Sequence, residues 1–223
     1  MEVHRDYELG DRDPRCTLLG TDIVPAYFPE LDKLPRGMQL RVQSITEPWP
    51  LSDKNSFDLV HQRLGLYATG KQLAMAVAGL VDLVKPGGYI QLVEADLTGP
   101  EAHTDSPMAA SVCLIKMLLG KSDDANDAYV ANLKHIFAEH GLVDIHERYV
   151  DVRLGAMNPK PELAKKSTMS FVHAIEGMVS VAKNIPAMAS RFELDEMAPA
   201  LKKGLEQEGT LFRYGVVWGR KPL

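Results

Sequence analysis

The sequence predicts an α/β protein built on a mostly parallel sheet with helices on its faces. Two observations carry that expectation. Short runs of strand-forming residues recur at 16–21, 38–45, 56–64 and 89–97. Between the last two, Leu73, Val77, Leu80, Val81 and Val84 fall at helical spacing. Strand, helix and strand in alternation is the pattern of a parallel sheet whose crossovers run over its faces.

The elements follow in order. Residues 1–15, "MEVHRDYELGDRDPR", are polar and suit the tail of a helix or a loose arm; they are too charged for the apolar core of a secretory leader. In "CTLLGTDIVP" a strand runs into Gly20-Thr21-Asp22. A carboxylate at the end of a buried strand is costly unless something binds there. "MQLRVQSI" alternates Met38, Leu40 and Val42 with polar residues, and "SFDLVHQRL" reads as a short buried strand. The helix of 71–84 stops at "KPGG", where Pro86 and the paired glycines cannot continue it. "YIQLVEADL" then ends in two acids, Glu94 and Asp96.

The second half is more helical. Ser106 and Pro107 form an N-cap and first-turn proline for a helix to about Leu119. "DAYVANLKHIFAEHG" is a second helix that closes on Gly141. A strand near 143–154, a methionine-rich helix over 162–183, another over 193–208 and a last strand in "TLFRYGVVWGRKP" complete the chain. Neither repeats nor a linker divide it, so a single domain over 1–223 is expected, with a core at 16–97 and a helical lid at 105–208 followed by C-terminal strands.

Composition narrows the function classes. Of 223 residues, 45% are hydrophobic and 25% charged, the balance of an ordinary soluble protein. The net charge is -5 and the basic residues are scattered, which argues against a nucleic-acid partner. No apolar run reaches transmembrane length. Cys16 and Cys113 sit in apolar runs, match no metal or redox spacing, and read as buried thiols in a reducing compartment, which points to the cytoplasm. No metal is expected.

Three motifs now stand in order: "GTDIVP", "FDLVHQRL" and "LVKPGGYIQLVEAD". The run resembles the class I S-adenosylmethionine-dependent methyltransferases, and within them the fungal secondary-metabolism branch. The match spans about 16–97 and is looser beyond. The resemblance implies a Rossmann-like fold with a helical lid, S-adenosylmethionine as cofactor, and N- or O-methylation of a small secondary metabolite, such as a toxin intermediate. It implies that Asp22 accepts the ribose hydroxyls and that Ile23 packs on the adenine; taken alone, Asp22 reads as a turn residue or N-cap. Gln43 and Ser44 match the adenine loop, where the family frequently has an aspartate, and read equally well as solvent-facing strand residues. His61 and Gln62 would face the cofactor's methionine part, with His61 the one candidate for a catalytic base or else a loop anchor. Arg63, Glu94 and Asp96 would meet the substrate at the strand ends, unless Arg63 simply pairs with an acid such as Glu94. Methionines along the later helices suit either core packing or an apolar acceptor pocket.

One family feature has no counterpart. In these folds a glycine-rich loop lies roughly 20 residues before the ribose acid. Up to Cys16, however, the one glycine is Gly10. The first strand, central in such sheets, is therefore expected to be missing, leaving two strand edges unpaired. Three readings stay open: a methyltransferase, shortened at its start; a methyltransferase-like protein that shapes an intermediate, as in pericyclic steps, without methyl transfer; and a fragment completed by a partner chain or by a second copy in a homodimer.

Overall fold

The structure, a computed structural model, describes residues 16–120 and 129–223. The expected helix tail at 1–15 and the first residues of "DAYVANLKHIFAEHG" lie outside the described residues. Among the described residues six strands and six helices make the mixed α/β chain that was expected. Strand β1 (Leu18–Asp22) pairs in parallel with β2 (Met38–Val42), with Leu18 opposite Met38 and Asp22 opposite Val42. Strand β3 (Phe57–Arg63) is followed by helix α1 (Leu73–Leu83) and by β4 (Val84–Ala95), which returns parallel to β3. Helices α2 (Ala109–Leu118) and α3 (Tyr129–Glu139) precede β5 (Val143–Leu154). Helices α4 (Pro161–Ala182), α5 (Pro186–Ala189) and α6 (Leu194–Gln207) then lead to β6 (Thr210–Arg220), which inserts antiparallel between β4 and β5.

The sheet is interrupted. β1 and β2 form a two-stranded unit, and the other strands form a four-stranded sheet in the order β3-β4-β6-β5. Among the described residues, β1 pairs only with β2 and β3 only with β4. This arrangement sets the two units of the sheet apart among the described residues. It also overturns two burial expectations. No residue of β1 is buried, and in β3 only Val60 is, while Leu59 is 60% exposed. Cys16, just ahead of β1, is exposed, and Cys113 is half-buried rather than fully enclosed.

The four-stranded sheet carries the core on both faces. On one face Val60, Ile90, Leu92 and Val217 pack against Val77, Leu80 and Val81 of α1 and Leu133, Ile136 and Phe137 of α3. Alternation along the strands sends Ala95, Phe212 and Tyr214 to the opposite face. There they pack under the lid, with Met108 and Val112 of α2, Ile175 and Val179 of α4, and Leu201 and Leu205 of α6. The lid stops short of the other end of that face, where Tyr89 and Val150 stay exposed around a hollow of about 460 Å³ that Leu59 and Trp218 also line.

Two boundaries moved for local reasons. β4 already begins at Val84, ahead of Pro86, because Val84 pairs with Phe57 and a register shift after Phe57 absorbs the Gly87-Gly88 bend. Helix α2 begins at Ala109, because the Ser106 hydroxyl accepts the N–H of Met108 at 3.2 Å and so caps a turn before the helix. The β1–β2 unit is tied to the body through the loop after β2. Arg41 pairs with Asp53 and lies 5.8 Å from the Trp49 ring, and Trp49 in turn sits on Gly79 of α1.

Two glycines give opposite expectations. Gly155 has φ +55°, and a Cβ there would lie 2.0 Å from the Leu205 carbonyl oxygen. Gly155→Ala should therefore cost about 2–4 kcal/mol in urea unfolding, since backbone must move. Gly177, inside α4 with nothing within 4 Å of its Cβ position, should instead gain about 0.5–1 kcal/mol as Gly177→Ala.

Candidate functional site

The unpaired edges of β1 and β3 face one cleft of about 620 Å³. That is the size of a small-molecule site. Its walls are Leu19 to Ile23 on one side and Leu59 to Gly65 on the other; Gln43, Ser44, Ile45, Thr46 and Trp49 line it from the loop after β2. Seven of the nine residues singled out in the sequence therefore line one space: Asp22, Ile23, Gln43, Ser44, His61, Gln62 and Arg63.

Each is held by local chemistry. Asp22 ends β1, exposed, and its Oδ1 accepts the Val24 N–H at 2.8 Å, which fixes the carboxylate at the strand end. Its carbonyl accepts the Gln43 N–H at 3.1 Å, joining the acid to the neighbouring loop. Ile23 is 65% exposed, a large apolar side chain standing beside a carboxylate. The Gln43 amide donates to the carbonyl of Ser44 at 2.9 Å. The Ser44 hydroxyl contacts Thr46 Oγ1 at 2.8 Å and accepts the Thr46 N–H at 3.2 Å. On β3, His61 Nδ1 meets Gln91 Oε1 at 3.0 Å, the cross-strand partner set by the register. Arg63 does not pair with Glu94; its guanidinium lies 5.3 Å from the Tyr214 ring and reaches the Tyr214 hydroxyl at 3.4 Å.

The two acids at the end of β4 are turned inward and do not line this cleft. Glu94 is fully buried, and its Oε1 accepts the N–H groups of Gly65 at 3.1 Å and Leu66 at 3.0 Å. Burial raises its pKa despite those two bonds and the nearby Gln62 amide. Asp96 Oδ1 takes the Thr98 N–H at 3.1 Å and the Thr98 hydroxyl at 2.6 Å, a local turn. Alternation explains Glu94: residues 90, 92 and 94 share the face under α1 and α3, so the strand's acid points into the sheet's core side. The sequence showed a strand ending in acids but not which face they take.

Sequence reasoning missed Trp49, Ile45, Gly65 and Glu101. Trp49 and Ile45 lie in the "ITEPW" segment, whose apolar members signal a wall rather than a solvent-facing loop. Glu101 follows β4, has no exposed surface, and accepts the Arg213 N–H at 3.1 Å on Oε2, while its Oε1 has no partner. Burial, with the Asp96 charge adding to it, pushes its carboxyl up to about 7 against the opposing hydrogen bonds. Among the described residues, no three His, Cys, Asp or Glu side chains are grouped to hold a metal ion. No helix among them is long and apolar enough to cross a membrane.

Comparison with known proteins identifies the fold's lineage. The N-methyltransferase gliN of Aspergillus fumigatus is 31% identical over 215 residues, covering 92% of this chain and 74% of its own length. The chain belongs to the S-adenosylmethionine-dependent methyltransferases of fungal secondary metabolism. This methyltransferase chain is also 33% identical to the N-methyltransferase sirN of Leptosphaeria maculans over 210 residues, 92% of the chain and 72% of the relative. No protein-family model matches it. Among solved structures, a putative sarcosine dimethylglycine methyltransferase from Galdieria sulphuraria aligns with a TM-score of 0.48 at 13% identity, over 92% of this chain and 69% of that one. A phosphoethanolamine N-methyltransferase 2 of Haemonchus contortus gives 0.44 at 16% identity, over 86% of this methyltransferase and 39% of the longer protein.

Glu101 makes the stability of the lid base pH-dependent. An acid whose folded pKa is raised contributes in full below its unfolded value of 4.5, and that contribution is lost as pH rises through about 7. Glu101→Gln carries no such loss. Its unfolding free energy relative to the native sequence should rise by about 2 kcal/mol between pH ~5 and pH ~8. A difference that stays flat with pH in denaturant titrations would show that Glu101 is ionised throughout.

Proposed function

We propose that the chain binds S-adenosylmethionine in the β1–β3 cleft and methylates a small secondary metabolite at nitrogen or oxygen. The observation that carries this reading is the convergence of Asp22, Ile23, Gln43, Ser44, His61, Gln62 and Arg63 on one cleft at the strand ends. The residues fit the cofactor. Asp22, fixed at its strand end, accepts two adjacent ribose hydroxyls, and a rigid carboxylate is the acceptor that two neighbouring donors need. Ile23 covers the adenine, with Gln43 and Ser44 at its edge, and His61 and Gln62 face the methionine part.

Bound there, the cofactor supplies an electrophilic methyl group. The protein's share is alignment and exclusion of water, which is enough for such a transfer, so no obligatory catalytic residue is assigned. His61 is the candidate for a proton acceptor. Donation from Nδ1 to Gln91 makes Nε2 the unprotonated nitrogen, able to take a proton from the attacking group. Arg63, which lines the cleft, stands at the acceptor side. In this reading 16–97 holds the cofactor and the helices of 105–208 cover the acceptor in a single domain. The names of gliN and sirN favour nitrogen as the acceptor atom.

Among the described residues one edge of β1 and one of β3 carry no ladder, which supports a further participant. An extended segment of a partner chain, or of a second copy, lying along the bodies of β1 and β3 would give both edges a ladder and leave the strand ends at Asp22 and His61–Arg63 to the cofactor. Leu59 lines both the cleft and the exposed hollow on the sheet face, so one partner can reach both. We place the assembly in the cytoplasm. A chain with this cleft but without transfer activity is the competing reading, and a folded chain that takes up no cofactor would favour it.

Titration calorimetry of the folded chain with S-adenosylmethionine should give micromolar binding that falls at least about tenfold in Asp22→Ala, the order set by loss of a charge-assisted bond pair. A folded chain that takes up no cofactor would overturn the binding reading. For the partner, light scattering at twice 24.6 kDa together with protection of β1 and β3 amides from exchange identifies a second copy. A monomer whose β1 and β3 amides are as protected as those of β4 would show that nothing is needed to cover the edges.

A further inference from the structure

Glu94 brings an ionisable group to a place without a counter-charge. Its Oε1 accepts two backbone N–H groups, from Gly65 and Leu66. Its Oε2 has no hydrogen-bond partner. Beside it, the Gln62 amide reaches the Glu94 carboxyl, yet the buried Oε1 of Gln62 is also without a partner. Two buried acceptor oxygens without a donor are a costly arrangement, and turning the Gln62 amide together with one proton on the acid resolves both. With the Gln62 amide turned so that its oxygen faces the acid, an Oε2–H on Glu94 donates to Gln62 while Glu94 Oε1 keeps Gly65 and Leu66.

What this cluster holds is the end of β3. Leu64, directly after Arg63, has φ +56°, a left-handed conformation that a leucine adopts only when its surroundings impose it. Its N–H is held by the Val93 carbonyl at 2.9 Å, and the next two N–H groups are those taken by Glu94. We propose that Glu94 is a positioning residue, carried as the neutral acid, whose hydrogen bonds to Gly65, Leu66 and Gln62 set the strained turn after β3 and with it the His61–Arg63 rim of the cleft. Glu94 then acts through the turn and Gln62, and touches no ligand itself.

The surroundings agree. The neighbours of Glu94 named among the described residues are uncharged: Gln62 on β3, Gly215 opposite it on β6 with Val130 of α3 packed over that glycine, and Gly65 and Leu66 at the turn. Burial raises its pKa, and no charged side chain figures among the causes. The sign follows. A carboxyl with a raised folded pKa contributes fully in acid, and that contribution is lost as pH rises through the folded value. The turn should therefore loosen on the alkaline side.

The effect on ligand rests on the cofactor reading above, but the state of the acid does not, and the experiment separates them. Native chain, Glu94→Gln and Glu94→Ala are compared between about pH 5 and pH 9 by thermal midpoint, amide exchange and S-adenosylhomocysteine titration. Gln reproduces a neutral acid, with one acceptor for the two N–H groups and one donor toward Gln62. Its midpoint relative to the native chain should climb as pH rises. Exchange at Gly65 and Leu66 should quicken in Glu94→Ala and return in Glu94→Gln. Affinity should fall about tenfold in Glu94→Ala, the order expected when two buried N–H groups lose their acceptor, and recover in Glu94→Gln. A midpoint deficit of Glu94→Gln that is constant or grows with pH means that the acid is ionised, and overturns the proposal. Unchanged exchange at Gly65 and Leu66 in Glu94→Ala overturns it as well. If the native chain takes up no S-adenosylhomocysteine, the cofactor reading fails, while the midpoint and exchange results still decide the state of Glu94.

Discussion

A β-strand has two hydrogen-bonding edges, and among the described residues β1 and β3 each use only one of theirs. β1 pairs with β2 and β3 pairs with β4, and between them lies the cleft. Parallel strands are normally found deep in a protein, covered on both faces. Here they border an open space, and their apolar side chains are correspondingly exposed. The same interruption makes the site, because it leaves the carboxyl ends of two strands, where ligands collect in open α/β sheets, facing each other.

The four-stranded sheet is what keeps this arrangement folded. β4 and β6 each present one face to α1 and α3 and the other to the lid, so two hydrophobic clusters share two strands. Bidentate pairing of Arg213 with Asp151, at 2.7 and 3.1 Å, and the contact of Lys85 with both oxygens of Asp58 lie at the exposed edges of this body and add little beyond orientation. The buried acids matter more. Glu94 and Glu101 are enclosed without a full set of donors, an arrangement more often kept for placement than for stability.

Periodicity carried most of the fold. Strand alternation and the helical spacing of Val77, Leu80 and Val81 located the elements to within a few residues, because the faces they bury repeat at 2.0 and 3.6 residues. The motif order placed Asp22, His61 and Gln62 at strand ends, and those ends meet. What was not legible depends on contacts distant in sequence. The inward turn of Glu94 follows from the face shared with Ile90 and Leu92, and the isolation of Glu101 follows from Arg213, more than a hundred positions later. The exposure of β1 and Leu59 depends on which strands pair across the sheet, which local residue patterns do not encode.

The β1–β2 unit contributes no buried side chain, and its tether to the body runs through the loop that carries Arg41, Asp53 and Trp49. In thermodynamic terms the two walls of the cleft are separate bodies joined by a short strap. A ligand that grips Asp22 on one wall and the His61 side on the other therefore does part of the work of folding: its measured affinity is the contact energy less the cost of fixing one wall against the other. The same linkage runs in reverse, so whatever fixes the walls beforehand raises affinity without touching the ligand.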